Sequence, residues 1–159
     1  MPLFSPNPYL CSMILDDEYF MRAALAEAKE AYAKDEVPIG AVIVANGKII
    51  ARGHNLVEQL NDVTAHAEML AFTAAANNMG GKFLNDCTLY VTLEPCPMCA
   101  GAAYWSRIGK IVFGATDEKR GFQLLEGQKQ ILHPSTEVKG GVMVAECAAL
   151  LTEYFKSKR

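Results

Sequence analysis

The feature that most constrains the fold is a junction between an apolar strand and an apolar helix, near the middle of the chain. Residues 87–93 are rich in β-branched and aromatic side chains and predict a buried strand. Residues 99–105 predict a helix, and Pro97 suits its first turn, where a missing N–H costs nothing. Cys96 and Cys99 are three residues apart, so both thiols lie on one face at the start of this helix.

Two thiols at a helix N-terminus are suited to binding a metal ion. The helix dipole lowers the pKa of a thiol there, and the thiolate is the form that binds metal. A CxxC pair alone is shared by redox dithiols and structural zinc sites, so a further ligand is needed to separate these readings. An upstream segment offers one, since Thr64 predicts an N-cap followed by a helix over residues 65–76 that contains His66 and Glu68.

His66 and Glu68 are two residues apart and would point to opposite sides within a helix. They can share a site only at the end of the helix, near its axis. One imidazole and two thiolates favour zinc, and three protein ligands leave a fourth position open for water, as in catalytic sites. The sequence therefore predicts zinc bound by His66, Cys96 and Cys99, with Glu68 taking the proton of the activated water.

A closed metal site is the alternative to this open one. Either His54 or His133 could supply a fourth protein ligand, and the chain would then be a structural zinc module without catalysis. The two readings differ in one observable, which is whether a second histidine lies beside the cysteines.

The remaining pattern predicts a mixed sheet with helices on both faces. A first helix opens at Asp16-Asp17-Glu18, and Asn46-Gly47 joins the two strands of a type I′ hairpin over residues 39–53. Residues 110–115 and 138–144 predict two further strands, and the intervening residues 116–137 leave room for a crossover helix. The final helix is expected over residues 146–156, with these side chains facing inward: Cys147, Leu150, Leu151, Tyr154 and Phe155.

Length and composition favour one domain without a membrane span. The 159 residues suffice for a single core, and the apolar runs are too short to cross a bilayer. Residues 1–13 lack the pattern of a signal peptide and are expected to form an N-terminal extension before a domain at 14–159. The five cysteines are an odd number, which favours a reducing cytoplasm and small, buried, unpaired thiols at Cys11, Cys87 and Cys147.

The net charge of −3 does not by itself indicate a nucleic-acid partner. The charge is unevenly distributed: residues 1–100 contain 6 Lys and Arg against 12 Asp and Glu, whereas residues 101–159 contain 9 against 6. The C-terminal part could therefore present a phosphate-facing side, although an ordinary solvated surface would explain the same excess.

Together these motifs resemble the zinc-dependent nucleobase deaminases, whose signature is H-x-E followed by P-C-x-x-C. The resemblance is strongest to the bacterial tRNA-specific adenosine deaminases and covers most of the chain. It is carried by residues 36–42, 53–55, 64–69, 88–99, 106–115 and 146–151.

This resemblance implies a cytidine-deaminase-like α/β fold, a three-layer αβα sandwich around a central five-stranded mixed sheet. It implies hydrolytic deamination of the wobble adenosine in a tRNA anticodon loop, with release of ammonia, by a homodimer that needs Zn²⁺. It further implies substrate contacts at Asn55, Ala67 and His133. Glu94 is expected to hold the cysteine loop.

Two segments leave a smaller substrate open. Residues 117–125 lack the run of small residues that the tRNA enzymes have there, and this segment borders the nucleic acid in the family. Pro97-Met98 and Tyr104-Trp105 also resemble guanine deaminase, which acts on a free base. A deaminase of a free base or nucleoside (guanine, cytosine, adenosine or cytidine) is therefore the alternative function. Tyr104 and Trp105 are expected in the core or at a dimer interface.

Overall fold

The computed structural model of the protein describes residues 15–127 and 129–159. The extension predicted for residues 1–13, including Cys11, lies outside the described residues, and the domain boundary remains a prediction. The helices are α1 (Asp17–Ala33), α2 (Val57–Leu60), α3 (Ala67–Met79), α4 (Pro97–Ser106) and α5 (Val144–Ser157). The strands are β1 (Gly40–Ala45), β2 (Lys48–His54), β3 (Cys87–Leu93), β4 (Lys110–Ala115) and β5 (Glu137–Lys139).

The five strands form one mixed sheet in the order β2-β1-β3-β4-β5. β1 pairs antiparallel with both β2 and β3, while β3–β4 and β4–β5 are parallel. Therefore β2, β3 and β4 all run in the same direction, and their carboxyl ends meet at one edge of the sheet. We call this the site edge. The segments that follow these three strands begin there.

Helices cover both faces of the sheet, which confirms the predicted three-layer sandwich. α1 and α5 pack on one face and α3 and α4 on the other, over two separate clusters of buried apolar side chains. Two glycines allow the closest approaches: a Cβ on Gly40 would lie 2.0 Å from the Ala24 oxygen of α1, and one on Gly53 would lie 2.4 Å from the Ala67 oxygen of α3. The sheet is thus held tightly between helices near the site edge.

The predicted hairpin and the strands at residues 87–93 and 110–115 are confirmed. Asn46 and Gly47 have φ angles of 51° and 72°, as a type I′ turn requires. Cys87 and Cys147 are buried, unpaired thiols, as expected. The apolar residues of α1 are buried in a cluster with side chains of the sheet.

The segment between β4 and β5 differs from the prediction. The expected crossover helix is wrong: among the described residues, this connection has only a 3₁₀ turn at Phe122–Leu125. The reason is tertiary, because Phe122 is fully buried and its N–H bonds to the Pro95 oxygen (2.9 Å) instead of to a helical neighbour. Gly121 and Gly127, both poor helix formers, further disfavour a helix.

The last strand and last helix are also corrected. β5 ends at Lys139, ahead of Gly140-Gly141, so the predicted strand over residues 138–144 is too long. Val144, which was predicted at the end of that strand, is the first residue of α5. On α5, Cys147 and Tyr154 are buried and Leu150 and Leu151 half-buried, but Phe155 is 48% exposed, so its predicted inward orientation is wrong.

No helix in residues 15–127 or 129–159 is long and apolar enough to cross a membrane.

Candidate metal centre and active site

Two helix N-termini meet at the site edge because α3 and α4 follow strands that run in the same direction. His66 is the N-cap of α3 and Cys96 is the N-cap of α4, and both have extended backbones. Pro97 occupies the first turn of α4, as predicted. Glu68 lies in the first turn of α3 and Cys99 in the first turn of α4. The dipoles of both helices therefore place positive potential on this group.

The start of α3 requires a correction. Thr64 is not the N-cap and the helix does not begin at Ala65, since α3 starts at Ala67. The hydroxyl and N–H of Thr64 instead donate to the side chain of Asp62 (2.7 and 2.8 Å), closing a turn before the helix. This later start leaves His66 outside the helix, and so its imidazole can reach the same point as the thiols of α4.

Three ligand atoms converge at this point. The Nδ1 atom of His66 lies 3.6 Å from the Cys96 sulfur and 3.5 Å from the Cys99 sulfur. A tetrahedral zinc ion with Zn–S near 2.3 Å and Zn–N near 2.1 Å separates such ligands by about 3.6 Å. The residues therefore fit zinc, and these three residues are the one group of potential metal ligands found in the described part of the chain.

The remaining histidines lie apart from this group. His54 contacts Glu27 and Lys34 of α1 through its two ring nitrogens. His133 bonds to Ser135 and lies beside the Tyr104 ring, with 5.9 Å between ring centroids. Neither supplies a fourth ligand, so the closed structural site is not favoured by the described residues.

The proton affinities of the two thiols differ. The neighbouring Cys99 side chain, and then His66, lower the pKa of Cys96 to about 4 despite its partial burial. The Cys96 sulfur and burial raise the pKa of Cys99 well above its usual range. The bond to Cys96 likewise raises the pKa of His66. Because metal ligands must be deprotonated, binding of a divalent ion here would release a proton.

Glu68 is 4% exposed and contacts the metal-ligand group directly. Its Oε2 accepts a hydrogen bond from the Cys99 sulfur at 3.2 Å. Burial raises the pKa of this carboxyl above its ordinary value. A carboxyl whose pKa is moved toward neutrality can both accept and return a proton near neutral pH.

These residues lie in an open cavity of about 1150 Å³ along the site edge. Asn55 and Ala67 line it next to Glu68, and Asn55 is only 6% exposed. His133 does not line this cavity, and its predicted substrate contact remains a prediction. The cavity is also lined by Lys119, Arg120 and Lys158, which belong to the basic C-terminal part that could present a phosphate-facing side. Leu151 and Phe155 line it as well, and the sequence did not assign these two residues to the site.

Glu94 lies between the cysteine loop and the segment after β4. It is 2% exposed, and neither carboxyl oxygen has a hydrogen-bond partner among the described residues. Burial raises its pKa. A Cβ on Gly121 would lie 1.4 Å from its Oε2, so the side chain is packed directly beneath that glycine. The expectation that Glu94 holds the cysteine loop through backbone N–H groups is therefore wrong for the described residues, while its packing against Gly121 is a contact the sequence did not indicate.

A family model for the zinc-binding region of cytidine and deoxycytidylate deaminases matches residues 15–115, which include all four residues at the centre. The chain belongs to this deaminase family. Zinc is accordingly the cofactor of the deaminase, and the convergence of His66, Cys96 and Cys99 fits it.

Three similar proteins show which kinds of deaminase this chain resembles. The deaminase is 49% identical over 148 residues to the tRNA-specific adenosine deaminase of Bacillus subtilis (strain 168), covering 90% of this chain and 91% of that protein. A solved structure from work on A-to-I editing by tRNA:A34 deaminases is 43% identical, with a TM-score of 0.79 over 84% of this chain and 99% of that one. Guanine deaminase of Bacillus subtilis is 45% identical over 64% of this chain and 65% of that one, with a TM-score of 0.62.

Proposed function

We propose that this deaminase hydrolyses adenosine to inosine at the wobble position of a tRNA anticodon, with release of ammonia. The observation that carries the proposal is the convergence of three zinc-type ligands on one point. The His66 Nδ1 lies 3.5–3.6 Å from the sulfur atoms of Cys96 and Cys99, and the buried Glu68 carboxyl lies 3.2 Å from the Cys99 sulfur. The likeness to tRNA adenosine deaminases over nearly the whole of their length supports the RNA substrate.

In this proposal His66, Cys96 and Cys99 hold the zinc ion, which when bound lowers the pKa of water toward about 7. Glu68 accepts the proton that the water loses and delivers it to the ring nitrogen; it then takes the proton of the hydroxyl now attached to C6 and delivers it to the departing amine. The balance is one water added across the bond between C6 and the ring nitrogen, and one ammonia lost from C6.

Asn55 and Ala67 are proposed to recognise the base. A primary amide offers a donor and an acceptor together, which suits the edge of a purine. Ala67 is the first residue of α3, where helix N–H groups have no partner within the helix and are free to bind an acceptor. His133 does not line the cavity of one chain, so a contact between His133 and the substrate would involve a more distant part of the RNA.

The size and charge of the cavity support a substrate larger than a free base. Its volume of about 1150 Å³ exceeds the range typical of small-molecule pockets, about 300–1,000 Å³. Five cationic side chains line it: Lys119, Arg120, Lys156, Lys158 and Arg159. Acidic residues share the wall, and the carboxylates of Glu36 and Asp117 accept hydrogen bonds from backbone N–H groups. Lys158 is paired with Asp35, and the other four cations are proposed to contact phosphates.

A substrate panel tests this proposal. The zinc-loaded protein is incubated with an anticodon stem-loop carrying adenosine at the wobble position, and separately with guanine, cytosine, adenosine and cytidine. We expect inosine and ammonia from the stem-loop, no product from a stem-loop with guanosine at that position, and binding that weakens steeply with added salt. Turnover of guanine, with the RNA untouched and binding insensitive to salt, would instead establish the alternative that the likeness to guanine deaminase favours.

A homodimer is the proposed assembly. Phe83, Tyr104 and Trp105 are exposed aromatic side chains, with Trp105 77% exposed, so of the two locations predicted for Tyr104 and Trp105, the core and a dimer interface, only the interface remains. Arg107 stacks over the Phe83 ring at 4.8 Å. Large aromatic side chains with arginine are enriched at protein interfaces. Light scattering should give twice the monomer mass, and Trp105→Glu should shift the protein to monomer.

The cytoplasm is the proposed location. Cys87 and Cys147 are buried and unpaired, and the thiolates of the metal centre need to stay reduced. Both features suit a reducing compartment.

A further inference from the structure

His54 is bonded at both ring nitrogens although it lies outside the metal centre. It is the last residue of β2, and its Nδ1 lies 2.8 Å from a carboxylate oxygen of Glu27 while its Nε2 lies 2.9 Å from the Nζ of Lys34. Glu27 lies within α1 and Lys34 is the C-cap residue of that helix, seven residues or about two turns further on, so both lie on the same side. The ring thus bridges two side chains at the C-terminal end of α1.

These contacts select one tautomer of the ring. A lysine ammonium carries only donors, so Nε2 must be the acceptor and must lack a proton. The proton of neutral His54 is therefore on Nδ1, which donates to Glu27. The charged groups around the ring are Glu27, Lys34 and Arg52, whose Nη1 is 4.0 Å from the second Glu27 oxygen.

The bridge fixes the end of β2 between two helices. Gly53, the residue before His54, packs against the Ala67 carbonyl at the start of α3. His54 is bound to α1, on the other side of the sheet, and its neighbour Asn55 donates its N–H to the Ile39 oxygen (3.1 Å). Asn55 therefore leaves the strand from a point held on both faces, its Oδ1 accepts a hydrogen bond from the Val57 N–H (3.4 Å), and the residue lines the same cavity as Glu68.

We propose that His54, as its Nδ1–H tautomer, is a positioning residue that sets the place of the Asn55 amide against the substrate base. This inference rests on the base contact of Asn55 in the proposed function. Without the bridge, the end of β2 keeps its pairing with β1 but loses its attachment to α1. A shift of about 1 Å in the position of the groups that hold the substrate can reduce activity by about 100-fold. The His54 ring can therefore affect the reaction without contacting the substrate.

Nitrogen NMR of the zinc-loaded protein tests the tautomer. The chain has only three histidines, so ¹⁵N-histidine labelling gives a simple spectrum, and His54→Gln assigns the resonances of interest. We expect a protonated Nδ1 and an unprotonated Nε2 for His54. The opposite tautomer would overturn the bridge, whatever the activity of the protein.

A double-mutant cycle on the stem-loop reaction tests the positioning role. His54→Phe fills a similar volume without hydrogen bonds and should lower kcat/KM by about 10- to 100-fold with full zinc content. His54→Gln, which keeps one donor and one acceptor, should recover much of this loss. Arg52→Gln on the same strand is the control and should behave as wild type, because Arg52 is exposed and makes only a 4.0 Å contact to Glu27.

The decisive comparison adds Asn55→Ala. If His54 acts through Asn55, the double variant should be no worse than Asn55→Ala alone, because coupled residues are not additive. Additive losses, or a fully active His54→Phe, would overturn the proposal while leaving the proposed function intact. A fully active Asn55→Ala would overturn both the base contact and the role of His54, and failure to deaminate the stem-loop at all would remove the proposed function itself.

Discussion

The buried carboxyl groups of the site edge and the partly buried one at the start of α1 differ in whether they have an ionic partner. All five buried Glu, Asn and Thr side chains of the described residues lie along the site edge: Glu36, Asn55, Glu68, Thr92 and Glu94. Three of them, Glu36, Glu68 and Glu94, have carboxyl groups with no ion pair among the described residues, which burial disfavours. At the start of α1, the partly buried Asp17 accepts hydrogen bonds from Tyr90 (2.9 Å) and Lys139 (2.7 Å).

This difference indicates that the two regions serve different ends. The contacts of Asp17 join the helix to β3 and β5 and contribute to stability. The carboxyl groups of the site edge are held in an environment that costs stability, as is common where a protein positions groups for chemistry. Substitutions should therefore separate the regions: at Glu68 activity should fall with little loss of stability, whereas at Asp17 stability should fall with little loss of activity.

The largest effect is expected at the metal ligands. Cys96→Ala removes one of three ligands, so the purified variant should contain almost no zinc and should lose all measurable deamination. Cys87→Ala, which removes a buried thiol outside the centre, is the control and should keep its zinc. Zinc content by mass spectrometry, together with ammonia release, checks both variants. A Cys96→Ala protein with full zinc would show that the centre is built from other residues.

Glu68→Gln comes next and isolates the proton transfer. It keeps the shape of the side chain but removes the group that accepts a proton, so kcat should fall by roughly 10²- to 10⁴-fold. Zinc content should stay at the wild-type level. The melting temperature should be equal or higher, since a buried carboxyl is replaced by a neutral amide. A marked loss of stability would contradict the claim that the buried carboxyl group of Glu68 costs the protein stability, unlike that of Asp17.

Gly121→Ala tests the packing between Glu94 and the segment after β4. The new Cβ would lie 1.4 Å from the Glu94 oxygen, so one of the two loops must move. The φ of Gly121 is −64°, which alanine adopts freely, and the effect is therefore steric. We expect a loss of about 1–3 kcal/mol in the free energy of unfolding and weaker binding of the stem-loop.

The matched control is Gly101→Ala in α4, where nothing lies within 4 Å of the new Cβ and a small gain in stability is expected. Glu94→Ala in the Gly121→Ala background should relieve the clash and restore part of the stability. An unchanged Gly121→Ala protein would show that Glu94 does not pack as described.

Asp17→Asn gives the smallest effect and probes the other region. Partial burial raises the pKa of Asp17, but the bonds from Lys139 and Tyr90 and the charge of Lys110 outweigh this and hold it below its ordinary value. A carboxyl with a lowered folded-state pKa stabilises the protein above its unfolded pKa of about 3.9, and this contribution is lost as the pH falls through the folded-state pKa.

The variant should lose about 1–2 kcal/mol at neutral pH and differ less from wild type in acid. Urea unfolding at several pH values measures this. Glu18→Gln in the same helix turn is the control, because its ion pair with Arg22 is more than half exposed and should contribute under about 1 kcal/mol. A pH-independent difference for Asp17→Asn would contradict the role given to its charge.

Most of the fold followed from local patterns in the sequence. β3 and β4 were predictable because continuous apolar runs with clear boundaries leave little choice of structure. The hairpin was predictable because Asn-Gly favours one turn type. The metal ligands were predictable because His, Glu and the paired cysteines have the spacing that their chemistry needs.

What could not be predicted depends on contacts between distant segments. The 3₁₀ turn at Phe122–Leu125 forms because Phe122 bonds to Pro95 and is buried, and neither fact is visible in the local sequence. The true start of α3 depends on Asp62 closing the preceding turn. Phe155 looked like a core residue, but it lies on the wall of the cavity.

X-ray absorption at the zinc edge tests the central claim most directly. In the wild-type protein we predict a four-coordinate ion with two sulfur ligands near 2.3 Å and two lighter ligands near 2.0–2.1 Å, of which only one is an imidazole. That result would establish a position open to water beside Glu68. A coordination shell filled by four protein ligands, with two imidazoles or a third sulfur, would contradict the account.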